Sequence, residues 1–214
     1  MSPKSTAMRI RARRLTVAAA VIVGLLAVRS SSVGVYRAVG PSDAPTILWG
    51  DLVVVNRAAY DLRVPFSGRC IGHWADPQPG EVVVFQVPSQ KRLAFKRVIA
   101  GPGQTVELRG ARLVVDGKPA RYYALRRSPF ERVPERNRLG TRIEWEDAGT
   151  FAHLVTLAPA IPEPLRGREA EVPAGHYVVL GDNRDHSYDS RSFGPVPRSA
   201  ILDRVIGGRR WLDR

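Results

Sequence analysis

The sequence predicts a mainly antiparallel β protein with little helix beyond one apolar N-terminal segment. Three observations carry that expectation. Short β-branched runs recur along the chain, each bounded by glycine, proline or aspartate. The 19 glycines and 17 prolines in 214 residues supply more turns than a helical bundle accommodates. Apolar residues at 44% against 25% charged allow a buried core and exclude a disordered chain.

The first element is the apolar run LTVAAAVIVGLLAV, residues 15–28, preceded by Arg9, Arg11, Arg13 and Arg14. As a helix it covers roughly 21 Å, short of the roughly 30 Å of bilayer hydrocarbon. Arg29 can snorkel, and Val33, Val35 and Tyr36 can lengthen the span through the interface. A basic flank before an apolar run predicts residues 1–14 inside and the chain after the span outside. We therefore read 1–14 as a basic cytoplasmic N-terminus and 15–36 as anchor and interface. A cleaved signal peptide has an apolar stretch of the same length, and a buried core helix is a third reading.

The strands follow in order. DLVVVN (51–56), EVVVFQV (81–87), RLAFKRVIA (92–100), TVEL (105–108), RLVV (112–115) and HYVVL (176–180) are expected strands. Asp116-Gly117 marks a hairpin turn. Residues 118–171 are rich in Arg, Glu and Pro, with one good strand candidate, AHLVTL (152–157). They read as an inserted subdomain between the two parts of the core, 37–117 and 172–214. The run SAILDRVIGGRRWL is expected to close that core as a strand or short helix.

Charge and cysteine content narrow the function. The net charge is +13, but seven of the basic residues and no acid lie in residues 1–39, leaving +6 on the rest. The basic excess therefore belongs to a membrane flank, and nucleic acid is not expected as a partner. The single cysteine, Cys70, excludes a disulfide framework and a multi-cysteine zinc site. No pair among His73, His153, His176 and His186 has metal-ligand spacing, and none sits in a Ser-His-Asp setting. Neither a metal nor a cofactor is expected.

Three segments can carry chemistry. In LAFKRVI, alternation places Ala94, Lys96 and Val98 on one face of a strand. A lysine among small and apolar neighbours can serve as a general base, although a surface lysine on an edge strand reads the same way. In GPSDAPT, one glycine and two prolines hold Ser42 in a rigid loop, whose amides can face an oxyanion; an ordinary linker has the same composition. GDNRDHSYDSR, 181–191, is a dense polar loop after an apolar strand, suited to orienting side chains through Arg–carboxylate pairs. It lacks the EF-hand spacing of acids.

Taken together these segments resemble the bacterial type I signal peptidase family. GPSDAPT resembles its G-x-S-M-x-P-T nucleophile box, and GDLVVVNRAAY the strand that follows. PGEVVVF and FKRVIAGPGQTVEL resemble the next two boxes, and VPAGHYVVLGDNRDHSYDSRSFGPVP the last ones. The match runs over most of residues 40–208. It implies an antiparallel β catalytic core of the signal-peptidase type with an inserted subdomain and one N-terminal transmembrane helix. It also implies a Ser/Lys serine endopeptidase acting on preprotein signal peptides at the outer side of the cytoplasmic membrane, in contact with lipid. Carried over, Ser42 is the nucleophile and Lys96 its base, Ser187 orients the lysine, and Asp182, Asp189 and Arg191 support the site. The Ser42 backbone N–H is an oxyanion donor, and Gly40 stands where some members carry a second one.

One residue departs from the family. Asp43 stands where methionine usually follows the nucleophile. A carboxylate there can favour the ammonium form of Lys96, or change a pocket that takes small apolar side chains. It leaves two rivals open: a specialised relative processing a narrow substrate such as a pilin, and an inactive homologue acting as a membrane-bound binding partner. The sequence does not fix an oligomeric state.

Overall fold

A computed structural model describes residues 32–63, 69–88, 90–110, 112–125, 142–157 and 169–208. The apolar run 15–28 and its basic flank lie outside these residues. Among the described residues no helix is long and apolar enough to cross a membrane.

Seven strands form the main sheet. Their order is β1 (Val33–Arg37), β2 (Leu52–Asn56), β16 (Ile201–Gly208), β5 (Val82–Gln86), β6 (Leu93–Ala100), β14 (His176–Leu180) and β15 (Val196–Pro197). Every pairing in it is antiparallel. The expected runs 51–56, 81–87, 92–100 and 176–180 each become a strand within one residue of the expected bounds. Val83, Val84 and Phe85 are all buried, so β5 is covered on both faces, and its unbroken apolar run follows from that. The run near residue 201 becomes β16, which sits in the middle of the sheet between β2 and β5. Its register slips at Ile201/Asp203 and at Val205/Gly207.

Residues 33–36, expected to lengthen the apolar span, belong to β1 at the sheet edge, paired with β2 from Val33↔Asn56 to Arg37↔Leu52. The period of two explains it. Val33, Val35 and Arg37 point outward, while Gly34 is buried and Tyr36 half-buried.

β7 (Thr105–Arg109) and β8 (Arg112–Val115) form a four-stranded sheet with β9 (Lys118–Pro119) and β13 (Ala170–Glu171). Asp116 and Gly117 make the expected turn between Val115 and Lys118, with φ of 50° and 70°. Two successive left-handed residues match the strand twist in a two-residue hairpin, which is why Asp-Gly stands there. This sheet draws strands from both sides of residue 118. β10 (Arg121–Ala124), β11 (Arg142–Asp147) and β12 (Ala152–Leu157) form a three-stranded antiparallel sheet. β3 (Asp61–Arg63) and β4 (Cys70–His73) form a separate hairpin, with Cys70 exposed. A short helix, α1 (Ser190–Phe193), is a single turn capped by Asp189.

Two apolar clusters hold the sheets together. Val83, Phe85, Val98, Val179 and Ile201 pack with Tyr60 and Tyr177 in one. Ile99, Val178 and Leu180 pack with Val106, Leu108 and Leu113 of the β7–β8 hairpin in the other. Consecutive residues Val98 and Ile99 thus serve opposite faces of β6. The same alternation aims Lys96 and Arg97 in opposite directions.

Candidate active site

Ser42 lies in the connection between β1 and β2. Gly40 has a φ of +123°, a backbone conformation that side chains disfavour. The chain then folds back on itself: Ala44 N–H donates to Pro41 O at 3.1 Å and Ile47 N–H to Asp43 O at 2.9 Å. Buried Ala44 and Leu48 root the loop beneath. Lys96 projects from β6, opposite Val83 of β5, and is 2% exposed.

The two meet. Lys96 Nζ lies 2.6 Å from Ser42 Oγ and also donates to Phe95 O at 2.6 Å. Asp43 completes a compact group. Its Oδ2 accepts from Ser42 Oγ at 2.6 Å and from Lys96 Nζ at 3.0 Å. Asp43 is itself buried. Burial pushes its carboxyl up, and Lys96 and the Ser42 hydroxyl pull against this without cancelling it.

Behind this group stands a second polar layer. Asp182 receives both arms of Arg97, at 2.9 Å and 2.6 Å, and the hydroxyl of Thr46. Burial alone would raise the Asp182 carboxyl, but Arg97 and His153 outweigh it and hold it at about 2. His153 stands between two carboxylates, its Nε2 3.3 Å from Asp182 Oδ1 and 3.5 Å from Glu146 Oε1. Desolvation still dominates and pushes the imidazole down to about 4, so the ring is neutral at neutral pH. Glu146 binds Arg184 through both oxygens, at 2.9 Å and 2.6 Å, and accepts from Tyr122. Arg191 grips Asp189 with Nε at 2.7 Å and Nη2 at 2.9 Å. Asp189 in turn accepts from Gly181 N–H at 2.9 Å.

Asn183 joins the layers. Its backbone N–H donates to Ser42 O at 3.1 Å and its Nδ2 to Pro41 O at 3.1 Å. Its Oδ1 accepts from the Thr156 hydroxyl at 2.8 Å. Thr156 N–H donates to Asp182 O, and Thr156 O accepts from Arg184 N–H, so β12 pairs with this loop as a strand would. Gly181 permits the close approach: a Cβ there would lie 2.4 Å from Ser42 O and 2.2 Å from Ser187 Oγ.

Of the residues singled out in the sequence, Ser42 and Lys96 are in direct contact. Asp182, Asp189 and Arg191 each take part in a buried ion pair around them. Ser187 lies in the same loop; its hydroxyl is buried with no hydrogen-bond partner, and it is not among the acceptors of Lys96. Sequence reasoning passed over Thr46, Arg97, Glu146 and Thr156, and weighed His153 only as a triad or metal-site candidate. The signal for Glu146 is the spacing of Glu144 and Glu146, two residues apart on one face of β11, each paired with arginine. His153 and Val155 likewise alternate on β12, and both are buried.

A groove of about 340 Å³ opens at Ser42 and Lys96, bounded by Tyr36, Arg37, Arg92, His186 and Tyr188. Among the described residues no group of three or more His, Cys, Asp or Glu side chains is arranged to hold a metal ion.

The comparisons with known proteins agree with one another. The family model for signal peptidase, peptidase S26, matches residues 9–207. The chain is 33% identical over 195 residues to a signal peptidase I of Pseudomonas aeruginosa, which covers 87% of this chain and 66% of that protein. It is 32% identical over 170 residues to a signal peptidase I of Pseudomonas fluorescens, over 78% of this chain and 57% of the other. The chain thus spans between 57% and 66% of the length of these relatives. A crystal structure of a signal peptidase I from Enterococcus faecalis aligns with 59% of this chain and 94% of its own, at 30% identity and a TM-score of 0.35.

Proposed function

Because the chain belongs to the signal peptidase family, peptidase S26, we propose that it is a serine endopeptidase that removes N-terminal signal peptides from exported preproteins. The observation that carries this is the 2.6 Å contact between Ser42 Oγ and a lysine amine that is buried in the protein. In the proposed reaction, neutral Lys96 takes the Ser42 proton, and the Ser42 oxygen attacks the scissile carbonyl. The amine then returns that proton to the leaving nitrogen, giving an acyl-enzyme that water hydrolyses. The Ser42 backbone N–H serves the developing oxyanion. On the family resemblance we assign Ser187 to orient the amine during the reaction; in the resting arrangement its hydroxyl does not touch Lys96. Asp182, Asp189 and Arg191 hold the loop that backs Ser42.

In this reading residues 15–28 anchor the chain in the cytoplasmic membrane, with residues 1–14 inside and the catalytic core outside. Ser42 then lies close to the bilayer, where the cut site of a membrane-held signal peptide also lies. The partners are preprotein signal peptides and lipid. Asp43 favours a second reading within the same chemistry, a specialised peptidase with a narrow substrate such as a pilin. Cleavage of a panel of preproteins by the full chain in detergent or vesicles tests both. Cutting of the panel, abolished in Ser42→Ala with unchanged melting temperature and in Lys96→Ala in a protein that still folds but melts lower because buried Asp43 has lost its partner, is the expected result. Cleavage of one class only selects the second reading, and full activity in Ser42→Ala refutes both.

A further inference from the structure

The hydrogen-bond inventory around Lys96 has a consequence for its protonation. Three groups accept from Nζ: Phe95 O at 2.6 Å, Asp43 Oδ2 at 3.0 Å and Ser42 Oγ at 2.6 Å. An ammonium has three N–H donors, so this arrangement uses all of them and leaves no lone pair for Ser42. The single Ser42 proton then has one remaining acceptor, Asp43 Oδ2 at 2.6 Å. With Lys96 and Asp43 as an ion pair, 3.0 Å apart, the serine proton turns away from its base.

We infer that Asp43 is a catalytic brake, a carboxylate that holds Lys96 as ammonium and directs the Ser42 proton to itself. This rests on the Ser42–Lys96 reading above and names how that site is regulated. Before Lys96 can act it must give up one proton: lost to solvent, it leaves Asp43 buried without its countercharge, and passed to Asp43, whose carboxyl burial pushes up, it remains 3.0 Å from the amine, ready to return. Losing one partner of a buried ion pair is strongly unfavourable. The other charged and titratable groups that face Asp43 do not relieve this. Asp182, from the loop after β14, repels it. Tyr36 and Arg37 of β1, Arg92 before β6, and His186 and Tyr188 of the polar loop line the groove beside it. Of these, Arg92 is engaged with Gln90 and stacked over Tyr188. A substrate that draws the carboxylate away from Lys96 would release the brake.

The test is the rate of cleavage of a peptide with alanine at the first and third positions before the cut, measured from mildly acidic to alkaline pH. The full chain is compared with Asp43→Asn, which keeps shape and removes charge, and Asp43→Met, which removes both charge and acceptor. An opposite charge at this range favours the charged form of its partner by a factor of about 10 to 1000. Both variants should accordingly cleave about tenfold or more faster at neutral pH, with the rising limb of rate against pH displaced to lower pH. Ser42→Ala/Asp43→Asn should be inactive. Slower cleavage at every pH in both single variants, with melting temperature and Ser42 acylation by a serine-reactive probe retained, would overturn the brake and make Asp43 a required proton acceptor. Activity surviving in the double variant would overturn the serine-peptidase reading itself.

Discussion

Gly181 stands against the carbonyl of the nucleophile, and Gly181→Ala measures how tightly that placement is held. The added Cβ would lie 2.4 Å from Ser42 O, 2.6 Å from Ser187 Cβ and 2.2 Å from Ser187 Oγ, against an ordinary contact of 3.4–4 Å. The Ser187 hydroxyl can rotate away, but its Cβ and the Ser42 carbonyl are fixed to backbone. Ser42 O already accepts from Asn183 N–H, so the loop cannot relax without losing that bond. A shift of about 1 Å in the Ser42 loop is the least that removes the overlap. Misplacing a reacting group by about 1 Å costs about a hundredfold in rate, which is about 2.7 kcal/mol of transition-state stabilisation. Overpacking a close-fitting site costs about 1–3 kcal/mol of stability as well. We expect kcat on a model peptide to fall about a hundredfold with KM little changed, since the groove walls at Arg92 and Tyr36 are untouched. Stopped-flow acylation and thermal melting separate the two effects. A Gly181→Ala protein with wild-type kcat and melting temperature would show that the loop is loosely held and that this geometry does not set the rate.

Three further outcomes follow from the layer behind the site. Arg184→Ala leaves Glu146, which is fully buried, as an unpaired carboxylate; unfolding in urea should show a loss of about 3–5 kcal/mol. Acid should destabilise the fold in two stages. His153 is depressed from 6.5 to about 4 in the fold, so the unfolded chain binds the extra proton first. Stability is full above about 6.5 and falls by about 3 kcal/mol as pH drops to about 4. Asp182, held at about 2 against an ordinary 3.8, adds a second loss between those values. Melting temperature against pH reads both stages, and His153→Gln should abolish the first and, by removing one of the two groups that hold Asp182 down, shrink the second. Thr156→Val removes the hydroxyl that fixes Asn183; at about 1 kcal/mol for the bond, kcat should drop about fivefold with KM constant. Thr156→Ser should restore it, and an unchanged kcat in the valine variant would deny Thr156 a positioning role.

The strands that position the site were legible because their apolar pattern follows burial. β5 and β14 are covered on both faces and read as unbroken apolar runs, and the Asp116-Gly117 turn follows from backbone conformation alone. β11 was illegible for the opposite reason. In RIEWED the buried residues are Glu144 and Glu146, while Trp145 is 40% exposed. Hydrophobic patterning inverts where charges are buried in pairs, and the partner of Glu146 is Arg184, some 38 residues away. β1 was hidden by its neighbour in sequence, since valines next to an apolar run look like its continuation. The contact between Ser42 and Lys96 was reached through a family resemblance; across a separation of 54 residues, composition and periodicity alone cannot bring two side chains together. Asp43 was legible as a departure, but which way its carboxylate turned depends on a loop fold that local sequence does not encode.

The position of β16 has a meaning in time. A chain is made from its N-terminus, so Ser42 and the strands β1, β2, β5 and β6 exist before Ile201–Gly208 does. Yet β16 is the strand that joins β2 to β5 in the middle of the sheet. Until it arrives, the part of the sheet that leads into the Ser42 loop has no strand ladder joining it to the part that carries Lys96, and only the side-chain and loop contacts of the site itself span the two. Asn183, which ties down Ser42, is late as well. The growing chain therefore holds Ser42 and Lys96 on two pieces of sheet that become one continuous ladder only when Ile201–Gly208 has been made.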